Sequence, residues 1–416
     1  MKLIVFENDS WTDLTPLSYI RPVFELRCGM YSLLERIIDS AGTKDVVLFV
    51  RDYLAELVKK NYQYPVNDFS QINDDVLIVD GRFLVETNFT TDREAVYLCD
   101  NEVAYAFIKK ENVEKIKGKT LAEIIIFVRS LPSIQINAKM MRFPWNLVHY
   151  NAEMIKKDFE KIGKKGIEGK FSSQAIVYGP DDIFIAQEAE IHPCVVLDTN
   201  SGPIYIDEGA KIYPFSRIEG PCYIGKETHI MPGASIREGN TIGPVCRIGG
   251  EVEESIFQSY SNKYHDGFIG HAYVGEFVNL GALTTNSDLK NDYSTVSVYV
   301  NGKPVDTGDL KVGSFIGDHT KTSIGTLFNT GTSAGVMCNI TAGGILPKFF
   351  PSFTWYVNNK FMKGFGLEMM LNTAKAAMER RKRVLSKEEE DVIRKVYEMT
   401  SDLRKAYISK SSKMKS

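Results

Sequence analysis

The 416-residue sequence contains no apolar run approaching the roughly 18 residues that a membrane-crossing helix needs, so no membrane partner is expected. Its first residues, MKLIVFENDSW, offer one lysine, four apolar residues and then acids. That falls short of the apolar core of a secretory signal, and a cytoplasmic location is the expectation. An excess of charge is also missing: 50 Lys and Arg against 53 Asp and Glu leave a net charge of −3, which supplies no field for gathering nucleic acid. Cysteine is sparse. Cys28, Cys99, Cys194, Cys222, Cys246 and Cys338 are widely spread and form no CxxC pair, which excludes a disulfide framework and a thiolate zinc site and leaves buried free thiols as the expectation.

What is present is ordinary globular composition, 44% hydrophobic and 25% charged, on a chain longer than one core usually serves. Residues 1–150 alternate between strand-like runs (LIVF at 3–6, VVLFV at 46–50, VLIV at 76–79) and helical stretches (31–38 and YLAELVKK). Such alternation predicts an α/β domain with a Rossmann-type parallel sheet. Residues 151–182 turn Lys-rich and Gly-dotted, which predicts a linker with a short helix at its start.

From 183 to 357 the period changes. Ile206, Ile212, Ile218, Ile224, Ile230, Ile236, Ile242 and Ile248 recur every six positions, which is neither a helix period nor a strand period. A six-residue repeat builds one short strand and a corner, and three make a triangular coil with the aliphatic residue inside. The pattern predicts a left-handed parallel β-helix of hexapeptide repeats. Its phase breaks at about 251–268, resumes at Val274 and Leu280, breaks again at about 286–314, and returns at Ile316, Thr322, Phe328, Ala334, Ile340 and Leu346. Residues 358–416 read as two C-terminal helices and a disordered tail, SKSSKMKS, with a capping box at Ser386 and Glu389.

The segment SNKYHDGFIGHAYVGEFVNLGALTTNSDLK at 261–290 concentrates chemistry at these breaks. Acyl transfer to an amine needs a base for the ammonium proton, donors for the thioester oxyanion, and polar groups that hold the acceptor. His265, Asn279, Asn286 and Lys290 are of those types, although asparagines also serve the corners of such coils. The stretch HDGFIGHAYVGEFVNLGALTTN resembles the acetyltransferase half of the bifunctional UDP-N-acetylglucosamine diphosphorylase/glucosamine-1-phosphate N-acetyltransferase family. The resemblance implies His265 as catalytic base, Asn279 and Lys290 on the acceptor, and Asn286 at the acetyl-CoA site. It places Phe268 where the family has an acceptor-touching tyrosine. Arg237, Arg247 and Lys263 are candidates by chemistry for holding a sugar phosphate. The later stretch FIGDHTKTSIGTLFNTGTSAGVMCNITAGG is similar to the family's donor-binding coils, which implies His319 and Lys321 near the phosphates of acetyl-CoA and a homotrimer with the donor between subunits.

The N-terminal stretch LTPLSYIRPVFELRCGMYSLLERI at 14–37 resembles the signature of sugar-phosphate nucleotidyltransferases, of which residues 1–150 look like a trimmed form. Here ENDSWTD replaces the family's Gly-rich turn and Val23 its lysine. The resemblance implies uridylyl or thymidylyl transfer from UTP or dTTP to a sugar 1-phosphate, with Arg21, Arg27 and Arg82 on the nucleotide and Asp80 on Mg2+. Two rivals share these residues. One is a regulator or scaffold that binds a nucleotide sugar without turning it over. The other, by resemblance to γ-class carbonic anhydrases, is a trimer holding zinc through His229, His265 and His271.

Overall fold

The computed structural model describes residues 1–70, 72–341, 344 and 346–413. Two compact units emerge. The first holds Met1–Leu14, Ile20–Leu26 and Tyr31–Arg142, and the second holds Thr15–Tyr19, Arg27–Met30 and the described chain from Phe143 onward.

In the first unit, β1 (Lys2–Phe6), β2 (Val46–Phe49), β3 (Val76–Asp80), β4 (Ala95–Cys99), β5 (Glu102–Ile108) and β6 (Ser133–Gln135) form one sheet in the order β2-β1-β3-β5-β4-β6. The three apolar runs read from the sequence pair in parallel, Leu3 with Val46 and Lys2 with Val76. They are buried throughout, as fits a sheet covered on both faces. The sheet is mixed beyond them: β5 runs antiparallel to both β3 and β4. Asp100 and Asn101 turn that hairpin with φ of 49° and 65°, the left-handed pair that a two-residue hairpin loop requires. Helices α1 (Leu33–Ala41), α2 (Ala55–Asn61) and α3 (Leu121–Arg129) complete the unit. Ser32 and Glu35 cap α1 reciprocally, and Gly42 ends it at φ 63°.

The stretch expected as a linker is largely structured. After α4 (Pro144–His149), helix α5 (Asn151–Ile162) buries Met154, Ile155 and Phe159 along one face, and its lysines form the outer face that gave the segment its linker-like composition. Asn151 docks this helix: its carbonyl accepts from Gly29 N (2.8 Å) and Thr241 Oγ1 (3.0 Å) while its amide donates to Gly239 O (2.8 Å). The solenoid then begins at Gly166–Ile167, Lys170–Phe171 and Ile176–Tyr178, well ahead of 183.

The solenoid has three parallel faces, one of which stacks ten strands. All eight isoleucines from Ile206 to Ile248 are fully buried. Each contributes about 1.5–3 kcal/mol by leaving water, and truncating one to Ala would cost about 2–5 kcal/mol. The first break in phase is a shortened coil: Ile224 pairs with Ile242, eighteen residues on, whereas Thr241 pairs with Ile256, fifteen on. The second is a true excursion, since Val274 pairs with Ile316 and the chain between them carries a hairpin, Ser297–Val300 against Lys303–Asp306.

Three helices follow the solenoid, against the two expected: α6 (Leu367–Glu379), α7 (Lys387–Met399) and α8 (Ser401–Lys413). The Ser386–Glu389 capping box is formed. Helix α8 has little aliphatic periodicity and packs instead through Arg404, stacked 3.9 Å over Tyr397, and Tyr407, set against Phe349 and Phe361. Of the tail expected to be disordered, 409–413 is helical, and 414–416 lie outside the described residues. Five cysteines are buried as expected, whereas Cys194 is exposed. No described helix is long and apolar enough to cross a membrane.

Candidate functional site

One face of the solenoid points a polar row outward. Successive coils pair Lys211 with His229, His229 with Arg247, Arg247 with Asn262, Asn262 with Asn279, and Asn279 with Lys321. The neighbouring row points inward and reads Ile212, Ile230, Ile248, Lys263, because strand residues alternate sides. Lys263 therefore occupies an aliphatic slot. It is 1% exposed, and its ammonium donates to Gly249 O (2.7 Å) and His265 O (3.1 Å). Burial pushes it down to about 8, with Asp266 and Glu251 acting against the shift. Gly250 makes the room: a Cβ there would come within 2.6 Å of Lys263 Nζ. This side chain supports the corner from beneath, so it is not placed to hold a sugar phosphate.

Residues 264–267 form that corner, and His265 stands exposed on it beside Tyr264, ring centroids 5.1 Å apart. Gly267 closes the turn at φ 126°, where a Cβ would meet Thr284 O at 2.2 Å. Past the corner lies the next face, where Phe268 pairs with Glu251 and is partly exposed. His265 is thus shared by two surfaces. On one side lie Asn262, Asn279 and Lys321, with the Asn262 amide donating to Asn279 Oδ1 at 2.8 Å. On the other lie Phe268, Glu251 and Glu253, and Arg237 spends its guanidinium on Glu253 at 2.9 Å.

Two expected ligand-binding residues are committed elsewhere. Asn286 is 1% exposed and clamps a buried peptide, accepting from Gly270 N (2.8 Å) and donating to Gly270 O (2.9 Å). Lys290 folds back onto its own excursion, donating to Ser294 Oγ (3.1 Å) and to Thr295 O.

His319 is buried at a corner with φ 59°, stacked on Phe277 at 5.2 Å, and Phe277 stacks in turn on Tyr260 at 4.9 Å. Lys321 donates to His319 O (3.0 Å), and burial pushes it down to about 8. Helix α6 covers this face and leaves two cavities that share Lys321 and Thr373. One, of about 330 Å³, is lined by Asn262, Asn279, Lys321, Arg380 and Arg381 with Tyr260 and Phe277. The other, of about 280 Å³, is largely apolar, with Met337, Trp355, Phe365, Met369 and Met370 beside His319. Sequence reasoning missed Asn262, Arg380 and Arg381. The RRKR run at 380–383 was the visible signal of the two arginines.

The three histidines of the zinc reading do not converge within the chain. His229 lies in the outward row, held down to about 4 by burial and then by Arg247. His271 is buried between two carboxylates, Nδ1 to Asp288 at 2.8 Å and Nε2 to Glu254 at 3.1 Å. Burial opposes its charge, yet those bonds outweigh it and raise the imidazole to about 9. Among the described residues no group of three or more His, Cys, Asp or Glu is placed to hold a metal.

The residues expected to bind a nucleotide are divided between the two units. Arg21 and Arg82 belong to the first, whereas Arg27 belongs to the second, where its guanidinium donates to Met30 O (3.0 Å) and its backbone N to Tyr273 Oη (2.8 Å). Arg21 is buried, and its carbonyl accepts from Arg51 (2.8 Å). Asp80 ends β3 as expected. Its Oδ1 accepts from Arg82 N (2.8 Å) and Nε (3.1 Å), and its Oδ2 from Arg82 Nη2 (2.9 Å) and Asn8 (2.9 Å). Burial works against the Arg82 guanidinium, but Asp80 and Glu102 outweigh it and hold its pKa above the ordinary value. A carboxylate spent on four donors, two of them nitrogens of one fixed guanidinium, does not fit a seat for Mg2+.

Residues 3–166 match the family described as sugar nucleotidyl transferase. A bifunctional sugar-1-phosphate nucleotidylyltransferase/acetyltransferase of Sulfurisphaera tokodaii is 35% identical over 203 residues, 49% of this chain and 44% of that protein. The bifunctional protein GlmU of Wolbachia pipientis is 36% identical over 118 residues, 27% of this chain and 26% of that protein. GlmU of Nitrosospira multiformis is 25% identical over 221 residues, 47% and 48% of the two chains. The resemblance expected from the residues is met in these names, and the chain spans about half or less of the length of these relatives.

Proposed function

We propose that the solenoid transfers an acetyl group from acetyl-CoA to the amine of a hexosamine 1-phosphate, with glucosamine 1-phosphate as the expected acceptor, in nucleotide-sugar biosynthesis. The observation that carries this reading is the place of His265, exposed on the corner between the face bearing Asn262, Asn279 and Lys321 and the face bearing Phe268. The donor lies along the first face, its phosphates near Lys321, and the acceptor on the second. The amine nitrogen attacks the thioester carbonyl carbon and forms the C–N bond, His265 takes the ammonium proton, and collapse of the tetrahedral intermediate breaks the C–S bond and releases CoA thiolate. Asn279 is the side-chain amide best placed to donate to the oxyanion or hold the acceptor. A homotrimer in the cytoplasm belongs to the same reading.

A second reading concerns the first unit and is supported by the family match over 3–166. It is nucleotidyl transfer from UTP or dTTP to the sugar 1-phosphate, in which Asp80, as arranged, does not fit Mg2+. The test of the principal reading is thiol release from acetyl-CoA in the presence of glucosamine 1-phosphate. Release that is lost in His265→Ala supports the assignment. Undiminished release in that variant overturns it.

A further inference from the structure

The turn after β3 fixes a cation in place. Gly81 lets Asp80 and Arg82 close on one another: its backbone N donates to Phe6 O (2.7 Å), and a Cβ there would stand 3.0 Å from the Phe24 ring and 3.1 Å from Phe6 O. Arg82 is then held at both ends of its backbone, its N donating to Asp80 Oδ1 (2.8 Å) and its O accepting from Met141 N (2.8 Å). Its side chain is buried and turns back on the same carboxylate. One nitrogen marks the centre of the cluster. Arg82 Nη2 lies 2.9 Å from Asp80 Oδ2 and 2.7 Å from Glu102 Oε2, so two carboxylates from the ends of β3 and β5 converge on a single point. The Asn8 amide bonds the same Asp80 oxygen at 2.9 Å, and Arg142 holds the other Glu102 oxygen at 2.6 Å. Converging carboxylate oxygens are the donor set of a hard divalent cation, and here a guanidinium nitrogen occupies the point on which they converge. Strands β1 and β3 run parallel, and Asn8 and Asp80 stand at their carboxyl edge, where open α/β sheets take ligands.

We propose that Arg82 is a built-in cation standing in the place expected for Mg2+, so that Asp80 and Glu102 hold a guanidinium and the first unit keeps no divalent cation of its own. A guanidinium suits this task because it stays charged at every working pH and its planar fork spans two carboxylates at once. Its Nε and Nη2 are spent in this way, whereas Nη1 donates to no described residue. That nitrogen is left for an anionic oxygen arriving at the carboxyl edge. The inference concerns the first unit alone and changes the second reading above in one respect, the cation that Asp80 anchors. It stands whether or not the solenoid transfers acetyl groups.

Mn2+ is the probe, because its electron paramagnetic resonance signal separates free from bound ion. Wild-type full chain titrated with Mn2+ should bind none that Asp80→Asn removes. Arg82→Ala vacates the point between the two carboxylates and should gain a single Mn2+ site, lost again in the double variant Asp80→Asn/Arg82→Ala. The same ion should raise the thermal midpoint of Arg82→Ala by about 5 °C or more and leave that of wild type where it is, so a variant destabilised by its unpaired carboxylates still reports. Arg82→Gln keeps a donor beside Asp80 and is the milder version of the same test. A gain of Asp80-dependent Mn2+ binding in either variant supports the inference. Asp80-dependent Mn2+ binding by wild type would overturn it, as would Arg82→Ala and Arg82→Gln proteins that both ignore the ion. Neither result touches the His265 assignment.

Discussion

His271 sits between Glu254 and Asp288 at 5% exposure, and its imidazole is raised from 6.5 to about 9. A basic group whose folded pKa lies above its unfolded value stabilises fully below the unfolded pKa, and the stabilisation is lost as pH rises through the folded one. The window is therefore pH 6.5 to 9. Raising the imidazole from 6.5 to about 9 corresponds to ~3 kcal/mol of stabilisation. What this energy holds is specific: Asp288 lies at the base of the excursion, so the imidazolium pins that loop to the corner carrying Glu254. Other groups titrate nearby. His149, lowered by burial, titrates on the acid side, and the buried Lys263 and half-buried Lys321, lowered to about 8, add stability as pH rises from about 8 toward their ordinary value. A difference experiment removes the lysines. Urea unfolding of wild type and His271→Gln from pH 6 to 9.5 should show the gap between them shrinking by about 2–3 kcal/mol. A gap that is constant across this range would refute the buried imidazolium.

Two further outcomes follow from the site. Asn286→Ala removes both bonds to the Gly270 peptide and should lower stability by about 2–4 kcal/mol, read as a fall in Tm. A raised KM for acetyl-CoA at unchanged Tm would instead restore Asn286 to the donor site. Lys263→Met keeps the core volume but frees the corner bearing His265, so kcat for acetyl transfer should fall by about tenfold or more while KM for acetyl-CoA holds. Full activity in that variant would show that the corner keeps its shape without the lysine.

The scaffold was legible because its period is local: the run from Ile206 to Ile248 reports burial directly, and every member is buried. The same logic explains the errors. A coil of fifteen residues looks like an interruption when its stacking partner is not visible, although Thr241 and Ile256 pair normally. Helix α5 stands where a short helix was expected, and its lysine-rich outer face, over a buried face of only three large apolar residues, is what made the whole segment read as a linker. At the site, sequence chemistry singled out His265, Asn279 and Lys321 as candidates, but it could not say whether an asparagine serves a ligand or a peptide. Asn279 is exposed and Asn286 is buried on Gly270, a difference decided by which side of the strand each occupies. Arg380 and Arg381 stand in a visible basic run, but its place beside the cavity could not be read from it. The face on which α6 docks depends on packing against the solenoid, which no local pattern encodes.

Acetyl transfer at the His265 corner is read most directly in its product. Mass spectrometry of glucosamine 1-phosphate incubated with acetyl-CoA and the full chain should show one acetyl group added to the amine by wild type and none by His265→Ala. An unmodified amine with folded wild-type protein, or equal acetylation by the variant, would contradict it.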